Sequence, residues 1–334
     1  MILACDVGGT KTNVALLDRE PAGLRVVRLA TYPSRDHGSL REILAAFMAA
    51  PHPVLNAAGF GVAGPVINHR VETTNLPWTV DGGELAGQLG LNHVSLLNDV
   101  EVQAWAVGDL RTTDQLQLQA GRPDNGNIAL IAAGTGLGMS ALLRGGGTIR
   151  SLASEGGHAD YAAHDDLEIG LLRFLRDRFK RVSVERVLSG PGLVSVYQYL
   201  ESRETVTAPA TPERHGAGES AAAIGAAAVE GRSPAAERAV LLFLAAYGAE
   251  AGNWALRTMA TGGVWLGGGI AHKLLLGSSG TSEAWRARAR AAFMTRFLAK
   301  GRLSPLLEAM PVHVILTDEA PLLGAARFAL AELG

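Results

Sequence analysis

The chain has 334 residues, enough for two domains, and 48% of them are hydrophobic, which supports large buried cores. Its 30 basic side chains nearly balance its 32 acidic ones, so no excess of charge indicates a nucleic acid or an anionic membrane as a partner. The single cysteine, Cys5, excludes an internal disulfide and a multi-cysteine zinc site. Because Asp6 interrupts the apolar start and no long uncharged apolar run follows, we expect neither a signal peptide nor a membrane span but a soluble, cytoplasmic protein.

The chain begins with a predicted β-hairpin. A buried strand, ILACDV, and an alternating strand, TNVALLD, are joined by a tight turn. In that turn Gly8 and Gly9 let backbone N–H groups approach phosphate oxygens, and Thr10 adds a hydroxyl. Asp6, just before the turn, is suited to hold the hydration shell of Mg²⁺. An ordinary hairpin turn is the alternative interpretation of this segment.

A formal dinucleotide motif follows in the next elements. A strand is predicted over residues 24–32, and a helix that begins with a capping box over 39–49. Residues 54–66 contain G-x-G-x-x-G, but the dinucleotide fingerprint requires a helix at its third glycine. Pro65 and the segment after it predict extended chain instead. We therefore assign no dinucleotide site there, and the sequence also lacks the P-loop motif.

The segment LLNDVEVQAWAV, residues 96–107, is the centre of the sequence. An apolar strand is predicted to end in Asn98 and Asp99, and a helix follows. In open α/β sheets, ligands bind beyond the carboxyl ends of the strands. A carboxylate that takes a proton from a sugar hydroxyl there, among glycine loops that hold phosphates, would make a kinase.

The second half repeats the strand–glycine design. After a polar stretch over 111–127, which we take as a domain junction, residues 127–143 run from a buried strand through Gly134, Thr135 and Gly136 into a second strand. Two such units, one in each predicted domain, are typical of the two halves of a phosphate-binding site.

A third unit and a loop lie further along the chain. Residues 261–276 carry Gly267, Gly268 and Gly269 at the start of a helix, which suits the adenosine of a nucleotide. Helices are also predicted over 166–180, 219–230, 234–260 and 282–300. The Pro- and Ala-rich segment 202–218 predicts a mobile surface loop.

Residues 151–166 are the polar centre of the second half. Glu155 and His158 lie on a glycine turn, where a carboxylate and an imidazole suit vicinal hydroxyls. The alternatives are a surface turn and a metal site formed with the acidic and histidine side chains that follow, which no H-E-x-x-H helix or cysteine pair supports. Glu185 lies near a predicted helix start, where capping is the alternative to binding.

In chain order these segments resemble the bacterial ATP-dependent glucokinases, a family in the superfamily of sugar kinases, actin and chaperone ATPases. The resemblance covers nearly the whole chain and is carried by DVGGTKTNVAL, GFGVAGPV, TNLPW, LLNDVEVQAWA, AAGTGLG, SEGGHADYA, VSVERVLSGPGLV, GGVWLGGGIAHKLL and PLLGAARFAL. It implies a two-domain α/β, actin-like (ribonuclease H-like) ATPase fold with a cleft between the domains. We expect a small domain of residues 1–110 plus 315–334 and a large domain of residues 111–314.

The resemblance also implies roles for individual residues. Asp99 becomes the general base on the sugar 6-hydroxyl, and Asp6 lies on the Mg²⁺ side, where it would bind the ion through water. The residues that hold the other sugar hydroxyls become Asn98, Glu155, His158 and Glu185. The ATP-binding residues become Gly8, Gly9, Thr10, Gly134, Thr135, Gly136, Gly267 and Gly268.

The predicted function is ATP-dependent phosphorylation of glucose to glucose 6-phosphate, with ATP and Mg²⁺ as cofactors and a homodimer as the expected assembly. Three alternatives stay open at this point: a kinase for another hexose or an amino sugar, a non-catalytic sugar sensor on the same scaffold, and an actin-like or chaperone-like ATPase. Asp99 argues against a sensor, and the SEGGH and ERVLSGPG segments have no purpose in the third. The sequence does not decide between ATP and polyphosphate as donor.

Overall fold

The structure, a computed structural model, describes residues 1–21, 23–73, 75–122, 124–205 and 220–333, with the side chains of residues 204 and 205 outside the description. Two sheets organise these residues. Each sheet begins with an antiparallel meander of three strands and continues with parallel strands on the other side of its first strand.

The first sheet has the strand order β3-β2-β1-β4-β7, with β1, β4 and β7 parallel. Its strands are β1 (Ile2–Val7), β2 (Lys11–Glu20), β3 (Gly23–Pro33), β4 (Ala57–Val62) and β7 (Ser95–Asn98). A small hairpin, β5 (Arg70–Glu72) with β6 (Thr79–Asp81), lies beside it. Helices α1 (Leu40–Met48) and α2 (Gly82–Leu89) cover one face, against the apolar side chains of Leu3, Cys5 and Val7. The predicted opening hairpin and the predicted burial of Cys5 are confirmed.

The second sheet has the order β11-β10-β9-β12-β13-β8, so its first five strands repeat the arrangement of the first sheet. Its strands are β8 (Gln115–Gln119), β9 (Ile128–Ala133), β10 (Leu137–Gly145), β11 (Thr148–Ser154), β12 (Gly263–Gly267) and β13 (Val312–Ile315). The predicted second hairpin, over residues 127–143, is confirmed as β9 and β10. The predicted junction over 111–127 was too simple, because it contains β8, an antiparallel edge strand.

Helices cover the second sheet and fill the space between the two sheets. The helices of the second part are α4 (Asp166–Phe179), α5 (Gly190–Thr205), α6 (Ala221–Val229), α7 (Pro234–Thr258), α8 (Gly268–Leu276), α9 (Glu283–Leu298) and α10 (Ser304–Ala309). Helices α3 (Asp99–Ala106) and α11 (Ala320–Glu332) share one core cluster with strands of both sheets. That cluster contains Ile2 and Ala4 of β1 together with Ile128 and Leu130 of β9. The two sheets therefore turn these faces towards each other, with α3 and α11 in the same core.

The glycines of the formal dinucleotide motif serve helix packing. A Cβ on Gly59 would lie 2.0 Å from the carbonyl oxygen of Ala325 in α11, and one on Gly61 would lie 2.6 Å from Cγ2 of Val102 in α3. The third glycine, Gly64, is followed by irregular chain and then by a turn at Asn68 and His69, which leads into β5. The expectation that no helix begins at the third glycine is confirmed in this described segment.

Two connections join the parts that carry the two sheets. One runs from α3 to β8 and the other, residues 316–319, from β13 to α11, and they meet where the Leu316 N–H donates to the carbonyl oxygen of Asp114 at 2.8 Å. The predicted domain boundaries fall beside these connections, and they stay a prediction. The predicted loop at 202–218 lies mostly outside the described residues, since α5 reaches residue 205 and the description resumes at residue 220.

Helix α7 is long and apolar enough, by length and composition alone, to cross a membrane. Of its most apolar 18-residue window, 72% is buried inside the protein, against side chains such as Phe293 and Phe297 of α9. Its Tyr247 hydroxyl donates to the carbonyl oxygen of Ile131 at 3.0 Å, across the central strand of the second sheet. These contacts are those of a core helix.

Candidate active site

Asp99 is the first residue of α3 and directly follows β7, as the sequence predicted. Asn98 caps the helix: its Oδ1 accepts from the Val100 N–H at 2.9 Å, and its Nδ2 donates to the carbonyl oxygen of Gly64 at 3.1 Å. Both ends of this amide therefore hold the turn that presents Asp99. Orienting the carboxylate is the role that these contacts support for Asn98, and its predicted contact with a sugar stays a prediction.

Asp99 interacts electrostatically with carboxylates from two distant segments, those of Asp6 and Glu155. Burial raises the pKa of Asp99, and the negative charge of Glu155 raises it further against the hydrogen bonds of the helix terminus. Burial also raises the pKa of Asp6 to about 6, a hydrogen bond from Asn13 lowers it, and the charge of Asp99 raises it. Asp6, Asp99 and Glu155 thus belong to one site, where added cationic charge is favourable.

The first predicted phosphate loop is a hairpin turn held from outside. Within it, the Gly8 N–H donates to the carbonyl oxygen of Lys11 at 3.1 Å. From the segment after β3, the Ser34 hydroxyl donates to the carbonyl oxygen of Gly8 at 2.7 Å, and the Ser34 N–H donates to that of Thr10 at 3.0 Å. A Cβ on Gly9 would lie 2.6 Å from that of Asn75, so the glycine also admits the TNLPW loop. Thr10 stays exposed.

The second predicted phosphate loop is held by the segment that contains Glu185. The Gly134 N–H donates to the Gly136 carbonyl oxygen, and the Gly190 N–H to that of Gly134, each at 2.8 Å. The Glu185 carboxylate accepts from the Leu137 N–H at 2.9 Å, and a Cβ on Gly136 would lie 2.7 Å from the same oxygen. Glu185 therefore contacts the second predicted phosphate loop, a contact that the sequence did not predict.

Glu155 and His158 flank a 3₁₀ turn that follows β11. Their side chains are 77% and 62% exposed, and Oε2 of Glu155 lies 4.0 Å from Nε2 of His158. The Arg181 guanidinium holds the turn in place by donating a hydrogen bond to the His158 carbonyl oxygen at 2.6 Å. Two accessible polar groups beside Asp99 suit a ligand with several hydroxyls.

A cavity of about 710 Å³ opens beside the second phosphate loop, a size typical of sites for cofactor-sized ligands. Gly134 and Thr135 form one side. Apolar side chains of α5, α6 and α8 form most of the rest, with Glu230, Lys273 and Ser278 as polar groups at its wall.

Of the three glycines at the start of α8, two make close packing contacts and the third lines the cavity. Gly268 has φ +75°, and a Cβ there would lie 2.3 Å from the Ala133 carbonyl oxygen. A Cβ on Gly267 would lie 2.7 Å from Oε1 of Gln103 in α3. Gly269 and Ile270 line the cavity. The predicted contacts of Gly267 and Gly268 with ATP stay predictions, and their observed role is to let α8 approach β9 and α3.

Sequence reasoning missed the apolar walls of this cavity and the contact of Gly190 with the second phosphate loop. A short alanine-rich helix carries no sequence motif for ligand binding, so the sequence of α6 did not indicate that it lines a cavity. The Ser-Gly-Pro-Gly turn did give one, because two glycines around a proline at a helix start indicate a close backbone approach.

A sequence model of the glucokinase family matches residues 3–332. The chain belongs to the glucokinase family. It is 38% identical over 345 aligned residues to a glucokinase of Nostoc punctiforme, with 98% of each chain covered. Among solved structures, it resembles a glucokinase from an Antarctic psychrotroph with a TM-score of 0.84, 31% identity and 98% of each chain covered. The predicted family, the predicted enzyme class and the actin-like two-domain fold class are confirmed.

A more distant structure bears on the fold. A glucokinase of the ROK family from Streptomyces griseus, solved in complex with glucose and AMPPNP, has a TM-score of 0.62 at 22% identity and covers 100% of this chain and 99% of its own. At that identity the likeness shows a shared fold, with two sheets that repeat one strand order around a common core.

Proposed function

We propose that Asp99 is the general base of an ATP-dependent phosphorylation of glucose on its 6-hydroxyl. The activity is that of the family to which the chain belongs. The observation that carries the role of Asp99 is its position: a carboxylate of raised pKa at the N-terminus of α3, oriented by Asn98 and facing Asp6 and Glu155. A raised pKa brings the carboxylate nearer to the operating pH, where a general base is most effective.

The sugar lies, in this proposal, between Asp99 and the turn of Glu155 and His158. The exposed carboxylate of that turn accepts hydrogen bonds from sugar hydroxyls, and a ring nitrogen of the exposed imidazole donates one to a hydroxyl or accepts one from it. Glu185 has a second function in the proposal, since its carboxylate also accepts from the Leu137 N–H of the second phosphate loop. A sugar contact at Glu185 would thereby connect the sugar to the loop that holds the nucleotide.

ATP occupies the cavity beside the second phosphate loop, with its adenosine between the apolar walls of α6 and α8. Its triphosphate extends past Thr135 towards the first loop, where Gly9 and Thr10 offer backbone N–H groups and Thr10 a hydroxyl, while the Gly8 N–H closes the turn by donating to the Lys11 carbonyl oxygen. The close approach of α8 through Gly267 and Gly268 shapes this side of the site. Polyphosphate as donor is the alternative that a donor comparison tests.

Asp6 is the residue that fits the expected Mg²⁺. Mg²⁺ keeps several waters and takes one or two carboxylates plus phosphates rather than an all-protein cage. Asp6 offers one such carboxylate, and in the described part of the chain no cluster of three or more acidic, histidine or cysteine side chains forms a cage. When bound, Mg²⁺ supplies positive charge to the phosphates.

The transfer then needs mainly positioning. The sugar 6-oxygen forms a bond to the terminal phosphorus of ATP, the bond from that phosphorus to the ADP oxygen breaks, and the hydroxyl proton passes to Asp99. Backbone N–H groups of the two loops stabilise the charge that spreads over the phosphoryl oxygens. Exclusion of water prevents hydrolysis of ATP, which the proposed two-domain cleft achieves when it closes.

The test is a coupled assay for glucose 6-phosphate with Asp99→Asn beside the unchanged protein. We expect kcat to fall by about 10²–10⁴-fold with glucose affinity by calorimetry changed little, because the amide keeps the shape and loses the base. Because the pKa of Asp99 is raised, kcat of the unchanged protein should also fall on the acid side at a higher pH than an ordinary aspartate would give. Full activity of Asp99→Asn would place the base elsewhere.

The alternatives have separate outcomes in the same assay. Turnover of another hexose or an amino sugar with a higher kcat/KM than glucose would indicate a different substrate. Sugar binding with no turnover of any tested sugar would indicate a sensor. We further propose a cytoplasmic homodimer with no membrane or nucleic-acid partner, and sedimentation at several concentrations tests the assembly.

A further inference from the structure

Lys11 shares a face of the first sheet with Asp6. Asn13 pairs with Asp6 between β2 and β1, and its Nδ2 donates to Oδ2 of Asp6 at 3.2 Å, so both side chains lie on one face. Residues two apart on a strand point to the same face, and Lys11 begins β2 in regular register opposite Pro33. Lys11 therefore lies on the face of Asp6.

That face is the one directed at the space between the two sheets. Continuing along β2, Ala15 and Leu17 are on the same face, and both belong to the cluster with α3 and α11. Lys11 lies at the other end of β2 from Leu17, beyond this apolar part, and it is exposed. The strand thus runs from the shared core to the open site, with the lysine at the end nearest the first phosphate loop.

The charge of Lys11 is unpaired among the described residues, because no described carboxylate lies within ion-pair distance of its ammonium. It nonetheless acts on Asp6, whose pKa it lowers through its positive charge. A flexible ammonium near Asp6, with no ion-pair partner among the described residues, is free to bind an anion.

We propose that Lys11 is a catalytic cation of the phosphoryl transfer, whose ammonium contacts the phosphoryl group as it moves from ATP to the sugar. The inference rests on the proposed function. The glycine turn before Lys11 brings backbone N–H groups to the phosphates, and the lysine adds a full positive charge from the same turn. Lys11 stays protonated, and the proton of the sugar hydroxyl goes to Asp99, so the balance of the reaction is unchanged.

The need for such a cation follows from the charges in the site. The negative charge of Asp99 already acts on Asp6, and that of Glu155 acts on Asp99, so the terminal phosphate of ATP adds further negative charge to the site. A positioned cation is most valuable where charge spreads over the phosphoryl oxygens, so its removal should lower kcat more than it weakens the binding of glucose.

The experiment compares Lys11→Met and Lys11→Arg with Arg19→Met. Arg19 is an exposed cation on the same face at the opposite end of β2, so it controls for loss of one positive charge. At pH 8, with Asp6 ionised in every protein, we expect Lys11→Met to lower kcat by about 10²–10³-fold. Lys11→Arg should recover part of that loss, and Arg19→Met should keep kcat.

Binding measurements separate a direct contact from a structural effect. By calorimetry, Lys11→Met should weaken a non-hydrolysable ATP analogue more than ADP and leave glucose affinity and the melting temperature unchanged. A kcat within about threefold of the unchanged protein, or an equal loss for ADP and the analogue, would overturn the proposal. If the unchanged protein itself makes no glucose 6-phosphate, the proposed function fails, whereas normal turnover with an active Lys11→Met variant removes only the role of Lys11.

Discussion

Burial of the ionised Asp6 carboxylate lowers the stability of the folded protein, and the same carboxylate is suited to bind a cation. Its carboxylate is mostly buried, and Asn13 donates the hydrogen bond that fixes its orientation. The pKa of about 6 in the folded protein exceeds the ordinary value of 3.8, so folding favours the protonated form. Cations that bind at the site, Mg²⁺ or the ammonium of Lys11, would favour the ionised form and offset this cost.

This difference in pKa predicts how stability depends on pH. The stabilising contribution of protonated Asp6 is complete below about pH 4 and is lost as the pH rises through about 6. Asp6→Asn should therefore match the unchanged protein near pH 4 and exceed its free energy of unfolding by about 2–3 kcal/mol at pH 7, without Mg²⁺ or nucleotide. Urea unfolding of both proteins at a series of pH values measures this difference in the free energy of unfolding. Asp36→Asn, at an exposed carboxylate, controls for net charge, and an Asp6→Asn protein less stable at pH 7 would contradict the burial argument.

At the scale of elements, α3 decides where the proposed catalytic base lies. Its N-terminus carries Asp99, its Val100 carbonyl oxygen accepts from the Ser140 hydroxyl of β10 at 3.2 Å, and its Gln103 reaches the start of α8. A single helix thereby links β7 of the first sheet to β10 and α8 of the second part. Helix α11 packs closely against α3 at Gly324, where an added Cβ would lie 1.6 Å from the Val102 carbonyl oxygen.

Gly324→Ala tests this close approach. The added methyl group cannot fit without separating α11 from α3, and we expect a loss of about 2–3 kcal/mol in the free energy of unfolding. Gly87→Ala in α2 is the matched control, because a Cβ there meets nothing within 4 Å and alanine favours a helix by about 0.5–1 kcal/mol. Urea denaturation of both variants gives the comparison. Equal stabilities would mean that the two helices can move apart freely.

At the scale of the whole molecule, two connections and one shared core relate the parts that carry the sheets. The Leu316 N–H donates across the connections to Asp114, and the bidentate contact of Arg111 with Asp114, at 2.8 Å and 3.0 Å, stiffens the first connection. Helix α3 packs against strands of both sheets, and α11 packs against α3 and the first sheet. This arrangement is suited to a hinge motion, which a small number of connecting residues can absorb.

We predict that glucose closes the cleft. Small-angle scattering should show a smaller radius of gyration with saturating glucose than without it, because hinge closure makes each subunit more compact. Glu155→Ala should need more glucose for the same change, because it removes a proposed hydroxyl contact. Glu72→Ala, an exposed carboxylate of the small hairpin, should respond like the unchanged protein. An unchanged radius at saturation by calorimetry would indicate a site that is already closed.

The sequence by itself determined the local structure and the family. The hairpins with glycine turns, the strand that ends at Asn98 and most helix spans were predicted, because strand alternation, helix periodicity and glycine conformations are local properties. The motifs also gave the family and the enzyme class. The capping box was predicted less well: Ser39 caps α1, but the Glu42 carboxylate accepts from Gly38 instead of Ser39.

The tertiary structure decided which of these local features meet. Asp6 and Asp99 are more than ninety positions apart in the chain, and only the parallel pairing of β1, β4 and β7 brings the ends of their strands to one edge. Glu185 reached the second phosphate loop, and Gly59 and Gly61 became contacts for helices, through packing that no spacing encodes. Long-range contacts depend on how whole elements fill a shared core, and that information lies in three-dimensional shape.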